Sequence, residues 1–293
     1  MENLMRRRSL ICLLRTSMLL PLRTLARVIG SSARTTLLTA PLEIGGNWGG
    51  SAQPDVTVVI ERMRVACLDG VALVSDRQPE RLHVDDRPNG GPSVWLQTAA
   101  PTTAWINLVI GPRDWCKLAY QFGHELGHVL CNSWQSDAKP RNPCQWIEES
   151  LVEAFSLRGL SILSDNWALA PPFPNDGGFA GAIRDYTEAV KARYRTAAHD
   201  QGAGAGLGAW FGTHEKSLSV DGGLDAARGA VVTMFDLVQG NPAMIEDLGA
   251  LNRWPGRSGV ALPDYLAQWE KSCTELDTPG SLPKSVRELL AMP

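Results

Sequence analysis

Gln121–Cys131 reads QFGHELGHVLC and contains His124-Glu125-Leu126-Gly127-His128, an H-E-x-x-H pentapeptide. Residues four apart on a helix lie about 40° apart around its axis, so both imidazoles can address one metal ion. Glu125 projects further round, toward a water on that metal and not the metal itself. With five His and fourteen Glu in 293 residues, chance yields this pattern with a probability of roughly 0.4%. The flanks agree. On one helix from Pro112 to Cys131, the residues Trp115, Leu118, Ala119, Phe122, Leu126, Val129 and Leu130 form a single apolar stripe. His124 and His128 fall on the opposite face with Lys117, Tyr120, Gln121 and Cys131. A helix packed by that stripe aims both imidazoles into a cleft. Pro112 suits its first turn and Asn132-Ser133 its stop.

A catalytic zinc takes three protein ligands and leaves one position for water. The next predicted helix, QWIEESLVEAFSLRGLSIL from Gln145, supplies carboxylates at Glu148, Glu149 and Glu153. Glu149 and Glu153 are four apart on one face, so one can bind metal while the other braces a ligand histidine. Glu148 has no such partner, because Val152 occupies its i+4 position. Cys131 lies three residues past His128 on the ligand face and offers an alternative thiolate ligand, which would close the site as a structural one. Cys131 and Cys144 also flank a loop that a disulfide would staple in an exported protein.

H-E-x-x-H followed some twenty residues later by a helical glutamate resembles the gluzincin metallopeptidases, the group of thermolysin and the aminopeptidase N type enzymes. Trp146-Ile147-Glu148-Glu149-Ser150-Leu151 is similar to the W-L-N-E-G-F of the latter. The resemblance covers about residues 104–158. It implies one zinc per chain held by His124, His128 and Glu149, with Glu125 as general base and Glu153 holding the first histidine from behind. It also implies a zincin-like α+β fold and hydrolysis of peptide bonds in a peptide or protein substrate. A Tyr or His further on would stabilise the oxyanion, and Tyr186, Tyr194, His199 and His214 are the candidates. The spacing to Glu149 is slightly longer than in either group, and no G-x-M-x-N exopeptidase motif lies upstream, so the pattern is that of a minimal peptidase. The alternatives are a zincin-like domain that binds metal or protein without turnover, and the structural site closed by Cys131.

The rest of the chain sets bounds. Net charge is −3 with 20% charged residues, which points to no nucleic-acid or polyanion partner. No apolar run reaches transmembrane length. Residues 1–40 read as a leader outside the fold: Arg6-Arg7-Arg8 precedes an apolar run broken by Arg15, which leaves export, organelle targeting and a misplaced start all open. Residues 41–293 read as one metallopeptidase domain with a sheet lobe, 52–110, and a helical lobe, 111–293. The Gly-rich stretch Pro41–Ser51 predicts a linker, and Val56–Ile60, Arg81–Val84, Val94–Gln97 and Trp105–Ile110 predict strands of a small mixed sheet. An extended peptide could add as a strand beside Trp105–Ile110. His83, in this region, reads as structural. Beyond the glutamate helix, helices are expected near 182–198, 224–239, 243–251, 264–272 and 284–291. The Gly-rich QGAGAGLGAWFGTHEK reads as a lid or a long connection.

Overall fold

A computed structural model describes residues 37–72, 75–87, 89–96 and 99–292. It is a mixed α/β chain in which a small four-stranded sheet is followed by helices. The strands are β1 (Leu42–Ile44), β2 (Arg81–Asp86), β3 (Ser93–Trp95) and β4 (Thr103–Leu108), in the spatial order β1-β2-β4-β3. β1, β2 and β4 run parallel, with Leu42 opposite Leu82 and Leu82 opposite Ala104. β3 is antiparallel to β4 and forms one edge, with Val94 opposite Ile106.

Several sequence expectations change. Val56–Ile60 is helical, inside α1 (Gln53–Cys67). Its β-branched residues suggest a strand, but the buried set Val56, Val59, Ile60, Met63, Ala66 and Cys67 follows the 3.6-residue period, and Pro54 and Asp55 suit a helix start. Pro41–Ser51 is no linker: it supplies β1, and Trp48 is buried in the core. Leu37 and Ala40 are buried there too, so the packed chain begins before the boundary at residue 41. The remaining leader-like residues, 1–36, and Cys12 with them, lie outside the described residues. QGAGAGLGAWFGTHEK forms a short 3-10 turn and then α5 (Leu207–Leu218), anchored by buried Leu207 and Trp210. Among the described residues no helix is long and apolar enough to cross a membrane.

The helices that make the site are α2 (Trp115–Leu130) and α3 (Gln145–Leu169). α2 starts three residues later than Pro112, with the Asp114 side chain accepting from the Lys117 amide at 3.4 Å. It stops at Asn132, whose φ of 63° ends the turn. All seven residues of the predicted stripe are buried. α3 is buried on nearly every side and is the hub of the helical part. Against it pack α1, α2, α4 (Phe179–Asp200) and α6 (Leu224–Gly240). A 3-10 segment, Pro242–Ala250, replaces the α-helix expected at 243–251, and α7 (Leu262–Leu276) and α8 (Ser281–Leu289) complete the chain.

Two glycines of α2 let α3 come close. A Cβ on Gly127 would sit 2.8 Å from Cβ of Val152 and 3.2 Å from its Cα, and one on Gly123 would meet Met63 and Ser156. Gly127→Ala therefore sets about 1 kcal/mol of gained helix propensity against roughly 1–3 kcal/mol of overpacking. Backbone atoms cannot swing aside, so overpacking wins. Thermal unfolding should show Gly127→Ala to be less stable, and an unchanged or raised midpoint would refute this packing argument.

Candidate metal centre

The α2–α3 crossing brings three donor atoms together. His124 Nε2 and His128 Nε2 lie 3.2 Å apart. Glu149 Oε2 lies 3.6 Å from the first and 3.7 Å from the second. Zinc bonds of about 2.0–2.1 Å in a tetrahedron require donor separations of about 3.3–3.4 Å, so the triangle suits a single ion. Among the described residues these three form the group able to hold a metal.

The far side of each imidazole decides what faces the centre. His124 Nδ1 is 2.8 Å from Glu153 Oε2, and His128 Nδ1 is 2.7 Å from Glu148 Oε1. A carboxylate only accepts, so each Nδ1 donates and each neutral ring turns a lone pair on Nε2 toward the other. Glu149 adds a third. Gln145 Nε2 donates to Glu149 Oε1 at 3.2 Å, which leaves Oε2 for the histidines. Three converging acceptors in a largely buried place repel one another unless a cation or protons lie between them. Zinc fits that donor set of two imidazoles and one carboxylate.

Both braces are buried networks. Glu153 is fully buried, and its Oε1 accepts from the Tyr120 hydroxyl at 2.6 Å, with the Tyr194 hydroxyl 3.4 Å beyond. Glu148 Oε2 accepts from Asn252 Nδ2 at 2.6 Å, and Asn252 Oδ1 from the Tyr265 hydroxyl at 3.2 Å. The sequence leaves Glu148 unpaired because it offers only same-helix neighbours. Its partner sits across the helix crossing, and the signal available was a second carboxylate one residue from Glu149 facing a second histidine.

Charge in the centre follows from these contacts. Burial disfavours the charged form of both histidines, but Glu149 and Glu153 around His124, and Glu149 and Glu148 around His128, outweigh it and raise both pKa values. Burial likewise pushes Glu149 up, yet the two histidines bring it to about 2. Glu125 is buried on the same wall, with its carboxyl raised chiefly by desolvation and opposed by His124 and His128. Val94 of β3, across the cleft, favours its ionised form more weakly.

These groups line a cleft of about 420 Å³ whose other wall is β3 and its flanks, from Pro92 to Leu96. That corrects the strand expected beside the metal helix, since β4 is paired on both sides and the edge facing the cleft is β3. Compared with family models, with curated proteins and with solved structures, the chain matches none.

The structure separates the remaining candidates. Tyr186, Tyr194, His199 and His214 do not line the cleft. Tyr186 packs edge-on against Tyr120, and Tyr194 lies behind Tyr120 and Glu153. His199 is exposed beside Asp200, and His214 bonds the Trp210 carbonyl of its own helix. Tyr120, which the sequence places only on the ligand face, does line the cleft. His83 stacks on Trp105 within the sheet. Cys131 is buried outside the donor group, its thiol held well above the usual range by burial and by Glu148. Cys131 and Cys144 are both free thiols, so no disulfide staples the loop between them.

Proposed function

We propose that the chain is a zinc-dependent peptidase of the gluzincin type, with a zincin-like core, that cleaves peptide bonds in a peptide or protein substrate. The observation that carries this reading is the pair of imidazoles turned Nε2-inward by Glu153 and Glu148, with Glu149 completing the donor set and Glu125 beside it. One zinc held by His124, His128 and Glu149 would polarise the scissile carbonyl and bring the pKa of water toward about 7.

The chain's own residues do the rest. β3, an edge strand among the described residues, faces the cleft, where an extended substrate adds as a strand and presents its carbonyls to the centre. Glu125, desolvated and raised in pKa, takes a proton from water as its oxygen bonds to the carbonyl carbon. The same carboxyl then hands that proton to the amide nitrogen as the C–N bond breaks, leaving a free acid and a free amine. Glu153 and Glu148 keep both imidazoles in one tautomer and orientation throughout. A buried carboxylate with no ligand duty is costly in a purely structural site, and Glu125 is such a group.

The test is cleavage of a mixed peptide library by the full chain, followed by mass spectrometry. Cleavage abolished by a chelator and restored by zinc is the expected result. A zinc-loaded chain that leaves every peptide intact overturns the reading.

A further inference from the structure

Beside the metal cleft lies a second cavity of about 410 Å³ with an unusual charge. Its lining includes the cations Arg77, Lys139, Arg141, Arg253 and Arg257 against the single carboxylate of Asp137. This concentration sits in a chain whose net charge is −3. Two of the five cations are committed. Arg253 pairs with Asp76 at 2.6 Å and Glu275 at 3.1 Å, and Arg257 reaches Asp137 at 3.5 Å. Arg77 acts on the Asp76 carboxylate only at longer range, and among the described residues no carboxylate forms a salt bridge with Arg77, Lys139 or Arg141. Arg257 is 8% exposed, and Arg77 repels it, adding to the burial that already lowers its pKa. Like charges gathered in a concave place are costly without an anion to share.

The wall between this cavity and the cleft is one residue thick. From 137 to 141 the chain is without helix or strand, and its residues alternate: Asp137, Lys139 and Arg141 line the basic cavity, Ala138 and Pro140 the metal cleft. The wall is fixed from behind, where the Arg141 amide donates to Ser258 Oγ at 2.9 Å and the Cys144 amide to the Ser258 carbonyl at 3.0 Å. Arg257 Nη1 donates to the Asn132 carbonyl at 2.7 Å, and the next residue, Ser133, lines the cleft. The basic cavity and the cleft therefore share this segment as a common wall, with the cations beside the part of the cleft that Ala138 and Pro140 form.

The geometry points to a carboxylate-binding subsite: the cavity takes an anionic group of the substrate, so that the preferred substrates are acidic peptides. This rests on the peptidase reading for the word substrate, but not for the binding. The carboxylate comes from a Glu or Asp side chain or from the peptide's C-terminus, and both offer the planar pair of oxygens that arginine grips.

Binding can be read apart from cleavage. Three fluorescent peptides of one sequence, a Glu version and a Gln version with amidated ends and a Gln version with a free carboxylate, would be titrated against zinc-loaded full-length Glu125→Gln protein by anisotropy. At about 0.05 M salt the Glu peptide, the free-acid peptide or both should bind roughly tenfold tighter than the neutral one, and the gap should narrow at about 0.3 M. Which of the two does so identifies the source. In Lys139→Glu/Arg141→Glu, two exposed positions, the preference should vanish, and in Lys139→Gln/Arg141→Gln it should weaken. Equal binding of acidic and neutral peptides, or a preference that survives charge reversal, overturns the subsite. Wild-type hydrolysis of a mixed library that holds acidic and neutral peptides, followed in parallel, keeps the two readings apart. Acidic preference without any hydrolysis sinks the peptidase and leaves the subsite standing, and hydrolysis without preference does the reverse.

Discussion

Glu125→Gln is expected to keep its zinc and lose peptide hydrolysis by about 10²–10⁴-fold, the usual contribution of a positioned general base. The two halves of this expectation have separate physical grounds. Glu125 is not one of the converging donors, so its removal leaves the triangle of His124, His128 and Glu149 intact. The amide of Gln is nearly the same size as the carboxyl and fills the same buried place, so the cleft wall should not move. What disappears is the capacity to take a proton and return it. Loss should therefore fall on kcat with little change in KM, because ground-state contacts are preserved. The decisive pairing is metal content by mass spectrometry beside turnover. Full zinc with unchanged turnover would remove Glu125 from the chemistry, and lost zinc would mean that it supports the metal instead.

The raised carboxyl of Glu125 adds a pH signature with a definite sign. Desolvation, its largest influence, favours the protonated form, and the base acts only when deprotonated. Activity should thus rise with pH through a value above the usual carboxylate pKa, and the rise should be absent from whatever residual activity Glu125→Gln retains.

How much of this was legible without coordinates can be argued residue by residue. The histidine face of α2 was, because two histidines four apart opposite seven apolar residues encode both a shared direction and a buried back. Glu149 and Glu153 were as well, since a four-residue spacing fixes which side chains share a helical face. Glu148 was not: its partner His128 lies on another helix, and periodicity within one helix is blind to a crossing. α1 was misread because β-branched residues favour strands locally, while packing against α2 and α3 rewards the helical period over fifteen residues. Trp48 and Trp210 sit in Gly-rich stretches that resemble linkers, and each is fixed by burying a large aromatic surface, which a local reading of turn residues does not weigh. The basic cavity was hidden by arithmetic, because net charge averages over the surface and its cations come from three separate stretches, at 77, 139–141 and 253–257.

Glu149→Ala should lower zinc affinity by more than about a hundredfold, beyond the 10–100-fold expected of Glu153→Gln or Glu148→Gln, which only orient a ligand. Cys131→Ala should bind zinc as wild type does, since its thiol lies outside the donor group. Protons compete for the same place, and the direction of that competition follows from the centre's charges. In the metal-free chain both histidines are raised above the usual 6.5 or so. The stabilisation they give as imidazoliums is complete below that value and is lost as pH rises through the raised pKa. Glu149, held at about 2, stays a carboxylate across that range, and its own contribution is lost only as pH falls toward 2. Zinc needs both rings neutral, so each proton it displaces should raise apparent affinity about tenfold per pH unit, up to two protons in all. The metal-free chain should therefore lose thermal stability over the pH range in which zinc binding strengthens, and the gap between metal-free and zinc-loaded unfolding midpoints should widen as pH rises. Competition with a chelator of known affinity, run alongside thermal unfolding from about pH 5 to 9, measures both. Zinc affinity that does not change over that range, or that survives Glu149→Ala, would mean that the ion sits elsewhere and that this triangle is held by protons alone.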